Sequence, residues 1–192
     1  MEHIKKALLD ANQVLNHFLT QESQLIAIEK SIQEFSKTLS QGGRILTCGN
    51  GGSMCDSMHF AEELTGRFRK DRPALAAHSM GDAGHLTCVA NDFGYDHVFS
   101  RNVEAWGREG DTLLAISTSG NSSNIIKAVE YAHQKKIKTV GLLGKDGGKL
   151  KNLVSIPIVV PSNITDRIQE IHIKIIHIFI EGIERSLFPN LY

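Results

Sequence analysis

Five short β-favouring runs, each nearly apolar from end to end, constrain this chain more than any other feature. They fall at 44–48, 74–79, 112–117, 138–143 and 155–160, and helix-length stretches separate most of them. Runs such as LLAIS (113–117) and IPIVV (156–160) show no polar alternation, so neither face of the sheet can look at water. A parallel sheet held between helix layers meets that demand, which predicts an α/β fold of the three-layer αβα type. In such sheets ligands bind beyond the carboxyl ends of the strands, so the loops that follow the strands are where chemistry is expected.

Ahead of the first strand, apolar residues recur at threes and fours from Ile4 to Leu39, with a polar break over 20–24. That pattern predicts two amphipathic helices. A last helix is expected over roughly 165–187, where Ile168, Ile171, Ile173, Ile175, Ile176, Ile178, Ile180 and Ile183 cover most of the circumference. A helix apolar on nearly all sides is expected to pack into a subunit interface, with enclosure by its own domain as the alternative. The chain shows no repeat, low-complexity segment or linker rich in Pro, Gly and Ser, and its 192 residues are 41% hydrophobic. One domain over 1–192 is therefore expected, with N-terminal helices in 1–40 and an α/β core in 41–192.

The balance of 21 basic and 21 acidic residues provides no electrostatic footprint for nucleic acid or an anionic membrane. The most apolar stretch, 171–183, is interrupted by His172, Lys174, His177 and Glu181, which rules out an uninterrupted membrane span. Residues 1–10 mix Lys5 and Lys6 with Glu2 and Asp10 and lack the apolar core of a signal peptide. Cys48, Cys55 and Cys88 are odd in number and have no CxxC spacing. They read as buried thiols in a reducing compartment, so a cytoplasmic location is expected.

Two strand-to-helix loops carry polar groups. Ser117, Thr118, Ser119, Gly120, Asn121 and Ser122 follow the strand TLLAIS and open a helix. Four hydroxyls at a positive helix end exceed what capping alone requires and suit a phosphate. The other loop is Gly49, Asn50, Gly51, Gly52 and Ser53. Its glycines let a ligand approach the backbone, although a βα turn would select the same residue types without a ligand.

On the helix that Ser53 opens, His59 and Glu63 are four residues apart and project together, which suits a shared proton or metal as well as an ordinary surface pair. The last helix adds Gln169, His172 and His177 among isoleucines, and each must find a hydrogen-bond partner or a ligand if buried. His172 reads as a satisfied core residue. His3, His17, His78, His97 and His133 are expected at the surface.

The strings CGNGGS (48–53), MHFAEELTGRFR (58–69), NDFG (91–94), GREGD (107–111), ISTSGNS (116–122), GKDGG (144–148) and DRIQEIHIK (166–174) together resemble the SIS (sugar isomerase) family. The similarity spans nearly the whole chain, and HFAEELTGR with RIQEIHIKIIH is specific to its heptose phosphate isomerases. Less familiar residues lie around 77–84, before Asp166 and in the tail 188–192.

The resemblance implies a five-stranded parallel sheet, a homotetramer with active sites at subunit interfaces, and isomerisation of sedoheptulose 7-phosphate to D-glycero-D-manno-heptose 7-phosphate, a precursor of the lipopolysaccharide core. It implies sugar contacts from Asn50, Gly51, Gly52, Ser53, Glu63, Asn91, Asp92 and Gln169, with Arg67 and Asp166 as weaker matches. Ser117, Thr118, Ser119 and Ser122 would hold the phosphate.

By the same resemblance His59, Glu63, Gln169 and His177 would bind one zinc ion per subunit, with Glu63 and His177 as catalytic base and acid. Gln169 and His177 are eight residues apart, about 12 Å along a helix, which strains joint ligation from one chain. No nucleotide cofactor is implied, and no GxGxxG or Walker A pattern is present. The alternatives on this scaffold are a non-catalytic module that holds a protein partner such as a replication initiator, and an isomerase of pentose or hexose phosphates.

Overall fold

The computed structural model describes residues 1–192. Helices α1 (Glu2–Leu19) and α2 (Glu22–Ser40) precede a repeating pattern of strand and helix. It runs β1 (Ile45–Cys48), α3 (Gly52–Thr65), β2 (Ala77–Ser79), α4 (Ala83–Phe93), α5 (Val98–Trp106), β3 (Thr112–Ser117) and α6 (Ser123–Gln134). The chain then continues through β4 (Lys138–Gly144), α7 (Leu150–Leu153), β5 (Ile156–Val160) and α8 (Thr165–Leu187). The five strands form one parallel sheet in the order β2-β1-β3-β4-β5. β2 is shorter than the expected 74–79 because it is an edge strand that pairs only with Ile45, Leu46 and Thr47 of β1.

The apolar strands are sandwiched as their composition requires. One core, which includes Phe35, Phe60, Leu64, Leu114, Ile116 and Phe179, fills the face under α2, α3 and α8. A second, which includes Val89, Phe99, Leu113, Ile125 and Val129, fills the face under α4, α5 and α6. Each fully buried side chain of this size contributes about 1.5–3 kcal/mol. The rings of Phe35, Phe60 and Phe179 meet with centroids 5.3 to 6.5 Å apart and pin α2, α3 and α8 together.

The isoleucine-rich α8 does not need a subunit interface to bury its surface. Ile168, Ile171, Ile175, Ile176, Ile180 and Ile183 are buried within the chain, and only Ile178 is exposed. The N-terminal helices supply the missing wall, since α1 and α2 both pack on α8. The cysteine expectation also needs correction. Cys48 is buried, whereas Cys55 on α3 and Cys88 on α4 are exposed. Only the first lies on a strand covered on both faces. No helix is long and apolar enough to cross a membrane.

From β1 the chain first moves outward to β2 and then returns to the other side of β1 to lay down β3. The helices that follow β1 and β3 lie on opposite faces, α3 in one core and α6 in the other. The carboxyl ends of β1 and β3 therefore flank the topological switch point, where the two departing loops leave a crevice. Those loops are 49–51 and 118–122, the two polar loops of the sequence.

Candidate active site

α3 and α8 run side by side in the same direction. At its start Gly52 lies so close to α8 that a Cβ there would be 2.6 Å from Gln169 Nε2. Two turns further on, His59 of α3 meets His177 of α8, with their Nε2 atoms 3.1 Å apart. The rings are tilted by 61° with centroids 5.1 Å apart. His59 Nε2 also lies 3.5 Å from Glu63 Oε1. One donor atom from each of His59, Glu63 and His177 falls within 4.8 Å of the others. The cluster follows from local sequence, because the i, i+4 spacing puts His59 and Glu63 on one face while Phe60 and Leu64 anchor the adjacent face in the core.

Phe68 stacks on the His177 ring at 25° and 5.7 Å. Burial holds His177 below its ordinary pKa, His59 adds to that effect, and the Glu63 carboxylate opposes it. A neutral His177 presents a nitrogen lone pair to the cluster. Asp56, one turn before His59, has its pKa pushed up to about 6 by burial, with His59 pulling the other way. Its Oδ2 is buried with no hydrogen-bond partner. Two imidazole nitrogens and a carboxylate oxygen that converge from two helices form a donor set that could hold a metal ion.

Gln169 is not among these three. It sits eight residues before His177 and belongs to the Gly-rich loop, as the 1.5 Å helical rise dictates. Within one chain it is placed to reach a ligand in the loop rather than the imidazoles.

The second loop is built as a cradle. Ser122 is the N-cap of α6 but makes no side-chain capping bond. Its hydroxyl instead lies 3.2 Å from Ser117 Oγ, which accepts a bond from the Gly120 amide. Ser119 Oγ accepts from the Asn121 amide. Gly120 has φ of +64°, and a Cβ on it would lie 1.9 Å from the carbonyl oxygen of Gly147. The GKDGG turn therefore packs directly under the cradle, and Asn121 Oδ1 accepts from the Lys149 amide across that seam. Hydroxyls not spent on a side-chain cap, at the positive end of a helix, suit an anion.

A SIS domain profile matches residues 9–144, well over half of the chain. The chain belongs to the SIS domain family. The profile ends before α8, whereas individual relatives align over nearly the whole chain. A phosphoheptose isomerase from Fusobacterium nucleatum is 53% identical over 180 residues, which covers 94% of this chain and 93% of the relative. One from Edwardsiella ictaluri is 55% identical over 185 residues, or 96% of each. Among solved structures, a phosphoheptose isomerase from Francisella tularensis superposes with TM-score 0.91 at 34% identity, over 96% of this chain and 97% of that one. Another, from Neisseria gonorrhoeae, gives 0.89 at 37% identity, over 95% and 97%.

In this SIS fold the two loops are tied by side chains that spacing alone does not reveal. Asn50 and Asn124 exchange amide hydrogen bonds, each 2.9 Å long, and Tyr95 donates its hydroxyl proton to Asn50 Oδ1 at 3.0 Å. The Asn50 side chain is thus committed to holding the loop. Asn91 and Asp92 are exposed on the last turn of α4, where Asn91 donates to Asp92 at 2.8 Å. Arg67 is exposed just past the end of α3, and Asp166 is exposed in the first turn of α8 beside Arg167. Gly51 takes φ of +55°, and Ser53 is buried at the start of α3. His172 is a core residue as expected, but only half satisfied: Nε2 lies 2.9 Å from the Leu143 carbonyl, while Nδ1 is buried without a partner.

Proposed function

We propose that the chain is a phosphoheptose isomerase that converts sedoheptulose 7-phosphate to D-glycero-D-manno-heptose 7-phosphate through an enediol. The observation that carries the reading is the convergence of His59, Glu63 and His177 on a fold whose relatives of that name are more than half identical along nearly the entire chain. A partner-holding module would have no use for this cluster, and the identities favour the heptose enzyme over isomerases of shorter sugars.

The reaction moves one proton between adjacent carbons. Glu63 takes the proton from C1 of the ketose, and the C1–H electron pair becomes the C1–C2 double bond of the enediol. Returning that proton to C2 gives the aldose. His177, held neutral by burial, carries the hydroxyl proton between O1 and O2 on the other side of the sugar. Ser117, Thr118, Ser119 and Ser122 grip the phosphate, while the backbone of Gly51 and Gly52, with Ser53, Asn91, Asp92 and Gln169, lines the sugar. Binding energy at the phosphate thus orients carbons far from it.

His59, Glu63 and His177 are the residues that would hold a zinc ion, which when bound supplies Lewis-acid polarisation of the sugar oxygens. His59 lies roughly 10 Å and Glu63 roughly 16 Å along α3 from Gly52 at 1.5 Å per residue. That separation supports a homotetramer in which neighbouring subunits complete each other's sites. Exposed Met58 and Ile178 beside the cluster support the same reading. A cytoplasmic location suits the two exposed thiols.

The test is to follow sedoheptulose 7-phosphate by NMR in the presence of the protein, alongside ribulose 5-phosphate and fructose 6-phosphate. New aldoheptose resonances are expected from the first alone. Turnover of a shorter sugar at equal rate, or of none, overturns the reading.

A further inference from the structure

The ion pair between Arg72 and Glu184 is outside the proton chemistry above, yet it grips the backbone of the residue that performs it. Both side chains are completely buried, and Arg72 Nε donates to Glu184 Oε1 at 2.9 Å. The rest of the guanidinium faces the end of α3. Nη2 donates to the Glu63 carbonyl at 2.7 Å, and Nη1 to the carbonyls of Leu64 at 2.7 Å, Gly66 at 3.1 Å and Pro73 at 3.2 Å. The other oxygen of Glu184 accepts from the Tyr192 hydroxyl. Both oxygens of the buried carboxylate are therefore used.

The last carbonyls of a helix lack partners within it and carry the negative end of its dipole. A planar fork of five N–H donors with fixed positive charge can satisfy several of them at once. Glu184, in turn, stands seven residues after His177 on α8, two turns along the same face. The pair thus bolts the end of α3 to α8 just beyond the point where Glu63, His59 and His177 meet. The interdigitated rings of Phe35, Phe60 and Phe179 hold the two helices together through close packing. The charge-assisted fork adds a directional restraint at the end of α3 nearest Glu63.

We propose that Arg72, clamped by Glu184, is a positioning residue that sets the axial register of α3 on α8 and so holds the Glu63 carboxylate opposite His177. The inference rests on the isomerase reading, and the parent enzyme's turnover is measured first so that a failure of that reading shows separately. Two variants then decide. Arg72→Lys keeps the charge opposite Glu184 but loses the fork. Arg72→Met combined with Glu184→Leu removes both charges and leaves neither one buried alone, a replacement that proteins commonly tolerate.

In each variant kcat is expected to fall about 10- to 100-fold, the scale set by displacements approaching 1 Å. KM should stay within about threefold, because the phosphate cradle is untouched. Circular dichroism and thermal melting establish that the protein is folded. Parental kcat in either folded variant overturns the proposal, as does a loss expressed mainly in KM. Failure of both variants to fold overturns it too, since the pair would then be a stability element.

Discussion

Replacing Gly52 with alanine places a methyl group where the Gly-rich loop meets α8. The new Cβ would lie 2.6 Å from Gln169 Nε2, 2.9 Å from Oε1 and 3.0 Å from Cδ. Ordinary contact begins near 3.4 Å, so the amide must retreat by about 0.8 Å (3.4 − 2.6). The obstacle is the far end of a flexible side chain, and Gly52 has no positive φ, so the backbone need not move. Gly52 opens α3, where alanine gains less than the roughly 0.5–1 kcal/mol of a helix interior, so it only partly offsets an off-rotamer cost at Gln169 of about 0.5–1.5 kcal/mol. Net stability should fall by no more than about 1.5 kcal/mol, or a shift in Tm of about 3–6 °C at most.

Catalysis should suffer far more. If Gln169 lines the sugar as proposed, its displacement by most of an ångström predicts a fall in kcat/KM of about 10- to 100-fold. Initial rates from NMR of sedoheptulose 7-phosphate, with a melting curve on the same sample, read both quantities. A folded Gly52→Ala protein with parental kcat/KM would refute the placement of Gln169 beside the substrate. A Tm lowered by much more than the predicted shift would refute the claim that the amide can yield.

Glu63→Gln keeps the shape of the side chain and removes its basicity, so kcat should drop by at least about 100-fold while binding of a phosphate-bearing competitive inhibitor stays unchanged; near-normal turnover would assign the base elsewhere. Gly120→Ala forces a side chain into φ of +64° and a Cβ to within 1.9 Å of a backbone oxygen. Its urea midpoint should fall by the equivalent of more than about 2 kcal/mol, and an unchanged midpoint would mean that the cradle and the GKDGG turn separate freely. Burial lowers the His172 pKa from 6.5 to about 4, with the Leu143 hydrogen bond opposing it. Between those values the unfolded chain binds a proton that the native state does not, so stability is lost as pH falls through this window, by roughly 3 kcal/mol in all. His172→Gln, which can still donate to the Leu143 carbonyl, should lose less stability over the same pH range, and parallel denaturation curves for the two proteins would contradict this.

Periodicity and burial chemistry made the fold legible. Strands apolar on both faces have few alternatives to a parallel sheet between helices, and threefold-fourfold spacing marked α1, α2 and α8 within two or three residues. The loops that matter were legible for the same reason, since strand ends in such sheets face the ligand crevice. The pairing of His59 with Glu63 follows from helical geometry within one segment.

Long-range decisions were beyond the reach of the sequence. Whether the isoleucines of α8 face a partner or their own chain depends on where α1 and α2 dock, and they dock on α8. That Gln169 joins the Gly-rich loop while His177 joins His59 depends on the direction and register of α8 against α3. The reciprocal amides of Asn50 and Asn124 span 74 residues, and the Arg72–Glu184 pair spans 112. Local sequence determines elements because backbone geometry repeats over three or four residues. It does not determine which distant polar groups will meet, because that is decided by the one mutual arrangement of elements that buries the apolar faces and brings Arg72 to Glu184.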